Sequence, residues 1–357
     1  MTKTLRALAA VPFLAAAVTA AAQPRGPLTI IPMDYPPPQA ARSSDTTAIN
    51  SFGHVTGAIS PFFPASNPYL YTPATGVVVQ PIPGDASIRA LSDAGHMAGW
   101  YFPSGASTPL ASILHNGELT TFQNLPGAAG GAIYGVNNAG VAVGTAIANN
   151  RNIAAVVFQN GAPTPLPSLG VAGGVAYDIN NAGQIVGSSR TPQDLGRACL
   201  WQNGQAIDLG TLGGSTSEAV AINDLGMIVG SSAVNPSRDE GFIWHDGVMT
   251  SAGTLGGTRS GLLGINNLGQ AVGFSLNAAG QSRAVIWDGE LVDLNTLLPP
   301  GSGWERLEVA TGINDQGFII GNGIYNGRQR GFLIIPSPAG ALLMLGFGII
   351  APRRRRR

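Results

Sequence analysis

The sequence predicts an all-β protein, a seven-bladed β-propeller built from four-stranded blades. One short pattern, which reads DINNAGQIVGS at 178–188, occurs in seven copies at spacings of 42 to 48 residues. A period of 40–45 residues fits one propeller blade. Gly and Pro supply 50 and 26 of the 357 residues, while 44% of residues are hydrophobic. That composition favours short buried strands between tight turns over disorder.

Each repeat divides into four strands, labelled a to d. The repeats begin at Ala48, Ala90, Gly135, Asp178, Ala221, Gly264 and Gly312. Strand a is followed by the tetrad N-[ND]-x-G, which reads NSFG and SDAG in the first two copies. This tetrad predicts a hairpin turn, because the Asn side chain bonds back to the backbone and the Gly supplies a positive φ. Strand b follows (MIVGSS, 227–232), then strand c (ACLW, 198–201), a second turn and strand d (AIDLGTL, 206–212).

The seventh repeat has no strand d of its own. It stops after GFLII at 331–335, and the missing strand is predicted to be LTIIPM at 28–33, near the chain start. Pairing the two ends closes a ring and removes the open sheet edge. The alternative, an open β-solenoid, leaves the strand at 28–33 redundant.

The first 22 residues predict a secretory signal peptide. Two basic residues precede an apolar stretch too short to span a membrane, and Ala20, Ala22 and Gln23 form a small-residue cleavage site. The domain boundaries that follow are 1–22 for the signal, 23–335 for the propeller and 336–357 for a tail.

The tail combines three features of a sorting signal. Pro336, Ser337 and Pro338 precede 13 apolar or Gly residues at 339–351, which as a helix reach about 20 Å and fall short of a bilayer core. The tail ends on five basic residues, Arg353, Arg354, Arg355, Arg356 and Arg357. Such a cluster resists translocation. The segment resembles the PEP-CTERM sorting signal, with Ser337 in place of the family's Glu, and the resemblance implies an exosortase-like processing enzyme in a Gram-negative bacterium. A plain tail anchor is the alternative.

The repeats themselves resemble the HAF-type extracellular repeat family over about 28–335. The matching strand c runs are RACLW (197–201), RAVIW (283–287) and RGFLI (330–334), with Arg where the family has His. The resemblance implies an extracellular repeat protein and transfers no catalytic residue.

Charge and motif content argue against several functions. Without the basic residues of both termini, 12 basic residues face 19 acidic ones, so nucleic-acid binding by a basic surface is disfavoured. Asp178 and Asn180 begin like a calcium loop, but Ala182 occupies the third ligand position and no late Glu follows. No cofactor, metal or catalytic residue is predicted. The lone Cys199 is expected to be buried, and Glu305 and Glu308 to lie in a solvated loop.

The four histidines follow the repeat geometry and are expected to be exposed turn residues. They are His54, His96, His115 and His245. No pair has the sequence spacing of a zinc site.

Two groups of residues are candidate ligand contacts. The b–c loops of blades one, two and seven carry the aromatic residues Phe62, Phe63, Trp100, Tyr101, Phe102 and Tyr325. Exposed aromatic patches usually bind something, although these rings can instead cover the blade tops or plug the channel. Near the channel, strand a carries a second, polar group consisting of Arg89, Tyr134, Tyr177 and Asp178.

The expected function is therefore that of an exported, cell-surface or extracellular protein that binds polysaccharide or serves a structural role. Its transient partners are the export machinery and the processing enzyme, and membrane contact is expected only through the terminal signals. The alternative is a polysaccharide-acting hydrolase or lyase on the same scaffold.

Overall fold

The computed structural model describes residues 28–33, 43–60, 67–80, 82, 85–148 and 151–336. The signal segment 1–22, the pair Phe62 and Phe63, and the tail beyond Pro336 lie outside the described residues. Within the described part, no helix is long and apolar enough to cross a membrane.

The described strands form seven four-stranded antiparallel units, which confirms the predicted all-β propeller class. Strand a of blade 1 is split into two short pieces. The strands of blade 1 are Ser43–Ser44 with Ala48–Ile49, Val55–Ser60, Asn67–Thr72 and Gly76–Val79. Those of blade 2 are Asp85–Leu91, Met97–Phe102, Leu110–His115 and Glu118–Thr121. Those of blade 3 are Gly130–Val136, Ala142–Ala148, Arg151–Gln159 and Ala162–Pro165.

Blades 4 to 6 repeat the same order, and one parallel pair, Asp239 with Arg259, joins blade 5 to blade 6. The strands of blade 4 are Val171–Ile179, Ile185–Arg190, Gly196–Gln202 and Gln205–Asp208. Those of blade 5 are Ser217–Ile222, Ile228–Asn235, Arg238–His245 and Val248–Gly253. Those of blade 6 are Gly256–Ile265, Ala271–Asn277, Ser282–Trp287 and Leu291–Asp293, followed by a 3-10 helix at Leu294–Leu297. Strand d of blade 4 is shorter than predicted because Gly210 turns the chain with φ 84°.

Blade 7 is closed by the start of the chain, as the sequence predicts. Its own strands are Trp304–Ile313, Ile319–Tyr325 and Arg328–Ile335. The fourth is Thr29–Met33, which pairs antiparallel with the last strand from Thr29 opposite Ile335 to Met33 opposite Gly331. The two ends of the propeller thus share one sheet, and no solenoid arrangement is needed to explain the strand.

The a–b turns explain the tetrad in each repeat. In blade 5, the Asn223 side-chain Oδ1 accepts hydrogen bonds from the backbone N–H groups of Leu225 and Met227, and the backbone of Gly226 has φ +78°. An Asn side chain that caps its own turn, followed by Gly in the left-handed region, is the chemistry such a turn requires. The turns gather at one end of the channel, which we call the turn face; the opposite end, with the b–c loops, is the loop face.

The same asparagines also link neighbouring blades. In six blades the Asn side-chain Nδ2 donates to the backbone carbonyl of the equivalent residue in the next blade, at 2.9 to 3.3 Å. The donors are Asn50, Asn137, Asn180, Asn223, Asn266 and Asn314, and the bond from Asn314 returns to Asn50. Blade 2 has Ser92 at this position, whose hydroxyl bonds to His96 within its own turn. We call these six side chains the asparagine ring.

A glycine in strand b is required by the close approach of strand a. An added Cβ on Gly230 lies only 1.9 Å from the backbone oxygen of Glu218, and the equivalent glycines of the other blades show distances of 1.9 to 2.1 Å. The others are Gly57, Gly99, Gly144, Gly187, Gly273 and Gly321. The last residue of the IVG pattern is therefore glycine for steric reasons, with no need for an unusual φ.

The apolar core lies between adjacent blades. One cluster joins blades 2 and 3 through side chains such as Ile113, Ile133 and Phe158, and another joins blades 6 and 7 through Ile286, Leu307 and Phe332. Cys199 is fully buried in the interface of blades 3 and 4. Burial raises the pKa of its thiol to about 12, so it behaves as a small core residue.

Candidate functional site

Two adjoining cavities lie along the channel and share a ring of apolar lining residues. A cavity of about 200 Å³ on the turn face is lined by the tetrad residues, and one of about 300 Å³ lies towards the loop face. The residues that line both cavities are Ile49, Leu91, Val136, Ile265 and Ile313. We call the larger cavity the vestibule. The shared apolar residues therefore lie where the vestibule meets the turn-face cavity.

A bulge in strand a turns one residue per blade towards the vestibule. In blades 2 to 7 the pairing of strand a with strand b skips a residue just before the turn, as between Ile133 and Gly135 in blade 3. A bulged residue is left out of the ladder and re-aims its side chain. The skipped residues all line the vestibule: Arg89, Tyr134, Tyr177, Val220, Leu263 and Thr311.

Four of the candidate residues form one continuous row. The rings of Tyr177 and Tyr134 lie 5.5 Å apart, and those of Tyr134 and Trp100 lie 5.7 Å apart. The Arg89 guanidinium stands 5.2 Å from the centre of the Trp100 ring. The three rings are partly exposed and Arg89 is exposed. The structure thus brings Trp100, which the sequence assigned to the aromatic group, into contact with the polar group of strand a. We call these four residues the aromatic row.

Glu218 extends the aromatic row into blade 5, and sequence reasoning missed it. Burial and the Glu218 carboxylate, which accepts a hydrogen bond from the phenol, raise the pKa of Tyr177 well above its usual range. Burial also raises the pKa of Tyr134. Both tyrosines therefore keep their protons and present hydroxyl groups near the vestibule. No sequence motif marks Glu218. Its position beside Tyr177 depends on how strand a of blade 5 aligns with strand a of blade 4.

Asp178 lines the vestibule but has both carboxylate oxygens engaged. Oδ1 accepts from the backbone N–H of Ile179 at 2.8 Å, and Oδ2 accepts from that of Ile222 in blade 5 at 3.0 Å. Burial raises the pKa of this carboxyl to about 7, although both hydrogen bonds act in the opposite direction. The residue therefore ties blade 4 to blade 5 and titrates near neutral pH.

The other aromatic candidates do not form one patch with the row. Trp100, Tyr101 and Phe102 lie on strand b and not in the b–c loop, and all three are partly exposed at the end of that strand. Tyr325 packs 5.1 Å from the buried Trp304 and belongs to the blade 7 core, so it covers the blade. Within the described residues, the aromatic candidates that meet are those of blades 2 to 4.

The two acidic residues of the GWERLE segment belong to the scaffold. Glu305 and Glu308 lie in strand a of blade 7, not in a loop, because Trp304, Leu307 and Ala310 of that strand point to the core. Glu308 forms an ion pair with Arg306.

The histidines include one contact that the sequence did not predict. The rings of His96 and His115 stack at 4.1 Å. Both residues and His54 are partly buried, so the expectation of exposed turn residues is wrong for these three and correct for His245. Burial and the neighbouring His115 lower the pKa of His96.

Comparisons with known proteins support the fold. No family model and no curated protein sequence matches the chain. Among solved structures, the chain is similar to an oligogalacturonate lyase from Vibrio parahaemolyticus, with a TM-score of 0.54 and 10% identity over 88% of this chain and 98% of that one. It is also similar to the propeller domain of the Trilobed protease from Pyrococcus furiosus, with a TM-score of 0.51 and 12% identity over 82% and 95% of the two chains. That propeller is described as having an open Velcro topology. At these identities the similarity establishes the fold alone, and the chain is a β-propeller.

Proposed function

We propose that this chain is an exported propeller that binds extracellular polysaccharide at the loop face, with the aromatic row as the contact surface. The observation that carries the proposal is the continuity of the row, from Arg89 over Trp100 to Tyr134 and Tyr177. Partly exposed rings offer flat faces for sugar rings, and their phenol groups and the guanidinium offer hydrogen bonds to hydroxyl groups. The row borders the vestibule, whose lining includes Arg89, Tyr134 and Tyr177.

The test of glycan binding uses two aromatic substitutions on opposite faces. Trp100→Ala should weaken binding to the best ligand of a polysaccharide panel by about tenfold or more, because it removes the central ring of the row. Phe52→Ala, at an exposed aromatic residue on the turn face, is the matched control and should leave the affinity unchanged. Equal affinities for all three proteins would remove the aromatic row from the binding site.

Asp178 favours a second candidate, an enzyme that acts on polysaccharide. A carboxyl that titrates near pH 7 beside a ligand pocket has the proton affinity of a general acid. Its two backbone hydrogen bonds argue for a structural role instead. Release of oligosaccharides by the full chain, abolished in Asp178→Asn, would establish the enzyme; binding without product supports the first proposal.

Export and processing form a separate part of the proposal and depend on the terminal sequences. The N-terminal 22 residues have the pattern of a signal peptide, and the tail resembles a PEP-CTERM signal for an exosortase-like enzyme. Replacing Arg353 to Arg357 with Ser should impair membrane retention and processing, as shown by the mass of the mature protein from its host. A mature mass identical to that of the wild type would contradict the sorting role.

A further inference from the structure

The turn face carries large exposed apolar side chains on one side only. At the third position of the tetrad, Phe52, Leu225 and Leu268 are 59%, 66% and 53% exposed. They belong to blades 1, 5 and 6, and blade 7 between them has the exposed Gln316. The same position in blades 2 to 4 holds only alanine: Ala94, Ala139 and Ala182. We call Phe52, Leu225 and Leu268 the apolar arc.

The packing of the turns holds the arc together. The backbone N–H of Asp224 donates to Asn267 Oδ1 at 2.9 Å, so the turns that carry Leu225 and Leu268 are joined directly. The next bond, from Asn267 to Asp315 Oδ1 at 2.7 Å, continues to blade 7. The Asn314 side chain in turn donates to the backbone carbonyl of Asn50, in the turn that carries Phe52, so hydrogen bonds connect the turns of all three apolar tips.

The chain leaves the propeller in the middle of this arc. Ile334 pairs with Ile319, the first residue of strand b after the blade 7 turn, and Ile335 pairs with Thr29. Leu28 and Pro336 accordingly both lie at the turn face, in the blade between Leu268 and Phe52. Two residues separate Pro336 from the apolar stretch 339–351, and that length of chain reaches at most about 10 Å.

The charges on this face determine which kind of lipid bilayer it can contact. Within the described residues, the a–b and c–d turns contain no Lys or Arg and carry six acidic residues: Asp93, Asp224, Asp246, Asp288, Glu290 and Asp315. A face with this charge is repelled by an anionic bilayer and tolerated by a zwitterionic one. The side chains at the turn tips are the type that inserts into the boundary between headgroups and acyl chains.

We infer that the turn face docks on a zwitterionic lipid bilayer, with Phe52, Leu225 and Leu268 inserted in its surface and the loop face directed away from it. The membrane contact is then a surface of the propeller and not the tail alone. Because the two faces are opposite ends of the channel, glycan binding at the aromatic row does not enter this inference.

A fluorescent probe in the middle of the arc tests the docking. The full chain with Gln316→Cys keeps all three apolar residues, and Cys199, fully buried, is not expected to react with the label. Val171→Cys, at a 37% exposed residue on the loop face, is the matched control. Both labelled proteins are reconstituted in phosphatidylcholine vesicles that contain a headgroup-level quencher lipid.

The expected result is quenching at Gln316→Cys at least about threefold stronger than at Val171→Cys, because the probe lies at the lipid surface. Adding Leu225→Ser and Leu268→Ser should reduce that quenching. Equal quenching at both positions, with both probes open to aqueous iodide, would overturn the inference. Shielding of the Gln316 probe from iodide without quenching by lipid would also overturn it, since the arc would then be covered by the chain's own tail or by a second copy.

Discussion

The two ends of the channel differ in how strictly the repeat is kept. At the turn face, six of seven blades carry the same asparagine, and its side chain bonds to the next blade. In the vestibule, the bulged residue of strand a ranges from Arg89 through Tyr177 to Val220 and Thr311. The asparagine must satisfy buried backbone groups in two blades, whereas the bulged residue pairs with no strand. The difference follows from these roles: the asparagine links neighbouring blades, whereas the bulged residue is not constrained by pairing and can vary from blade to blade.

The largest expected effect comes from a substitution that disrupts the close contact between strands a and b. Gly230→Ala should destabilise the protein by about 3–5 kcal/mol, because the new Cβ meets the Glu218 carbonyl oxygen and the strands must separate. Gly226→Ala, at a turn glycine with φ +78°, is the control and should cost about 1–2 kcal/mol. Urea unfolding monitored by tryptophan fluorescence measures both, and equal losses would contradict the steric explanation.

Asp178 lines the vestibule and accepts hydrogen bonds from backbone groups of two blades, so its titration is the next test. Its pKa in the folded state, about 7, lies above the ordinary value of 3.8, so the protonated form is favoured by folding. The stability this supplies is present in full below about pH 4 and is lost as the pH rises to about 7, by up to about 4 kcal/mol.

Urea unfolding between pH 4 and 8 measures that loss. Relative to Asp178→Ala, the wild type should lose stability over this window and show no further difference above it. Asp93→Ala, at an exposed acid of the turn face, is the control and should keep the wild-type slope. An unchanged slope in Asp178→Ala would contradict the shifted pKa.

Removing one side chain of the asparagine ring should cause a smaller loss of folding stability. Asn223→Ala removes the bond to the Asn266 carbonyl and two bonds within its turn, and we expect a cost of about 2–3 kcal/mol from the buried groups left unpaired. Asn181→Ala, whose bonds to Asp224 are exposed, should cost less than about 1 kcal/mol. Thermal unfolding of the two variants provides the comparison, and similar melting temperatures would argue against a special role of the ring.

The smallest expected effect comes from a substitution that restores the asparagine in blade 2. Ser92→Asn would supply the seventh donor of the ring, towards the backbone carbonyl of Asn137, at the loss of the Ser92 contact with His96. We expect a gain of about 0.5–1 kcal/mol. Differential scanning calorimetry of wild type and variant is the measurement, and a lowered melting temperature would show that the pairing of Ser92 with His96 is the stronger contact.

The sequence predicted the repeat, the strand order and the closing strand at 28–33, because turn chemistry and strand alternation are local. It did not predict the link from Asn223 to the next blade, since the same side chain also caps its own turn and that role accounts for the pattern. The aromatic row was predicted only in pieces. The bulge that turns Tyr134 inward depends on strand register, and the contact of Trp100 with Tyr134 joins two blades, so neither is visible in a repeat alignment.

The pairing of Thr29 with Ile335 has a consequence for how the protein reaches its native state. Those two residues are separated by most of the chain, and a contact of such high sequence separation forms late and slowly. The last sheet cannot be completed until the final strand meets the first one, whatever the other blades have done by then. Until that moment Arg328–Ile335 and Thr29–Met33 both present unpaired edges, which makes the nearly finished ring the stage most exposed to aggregation.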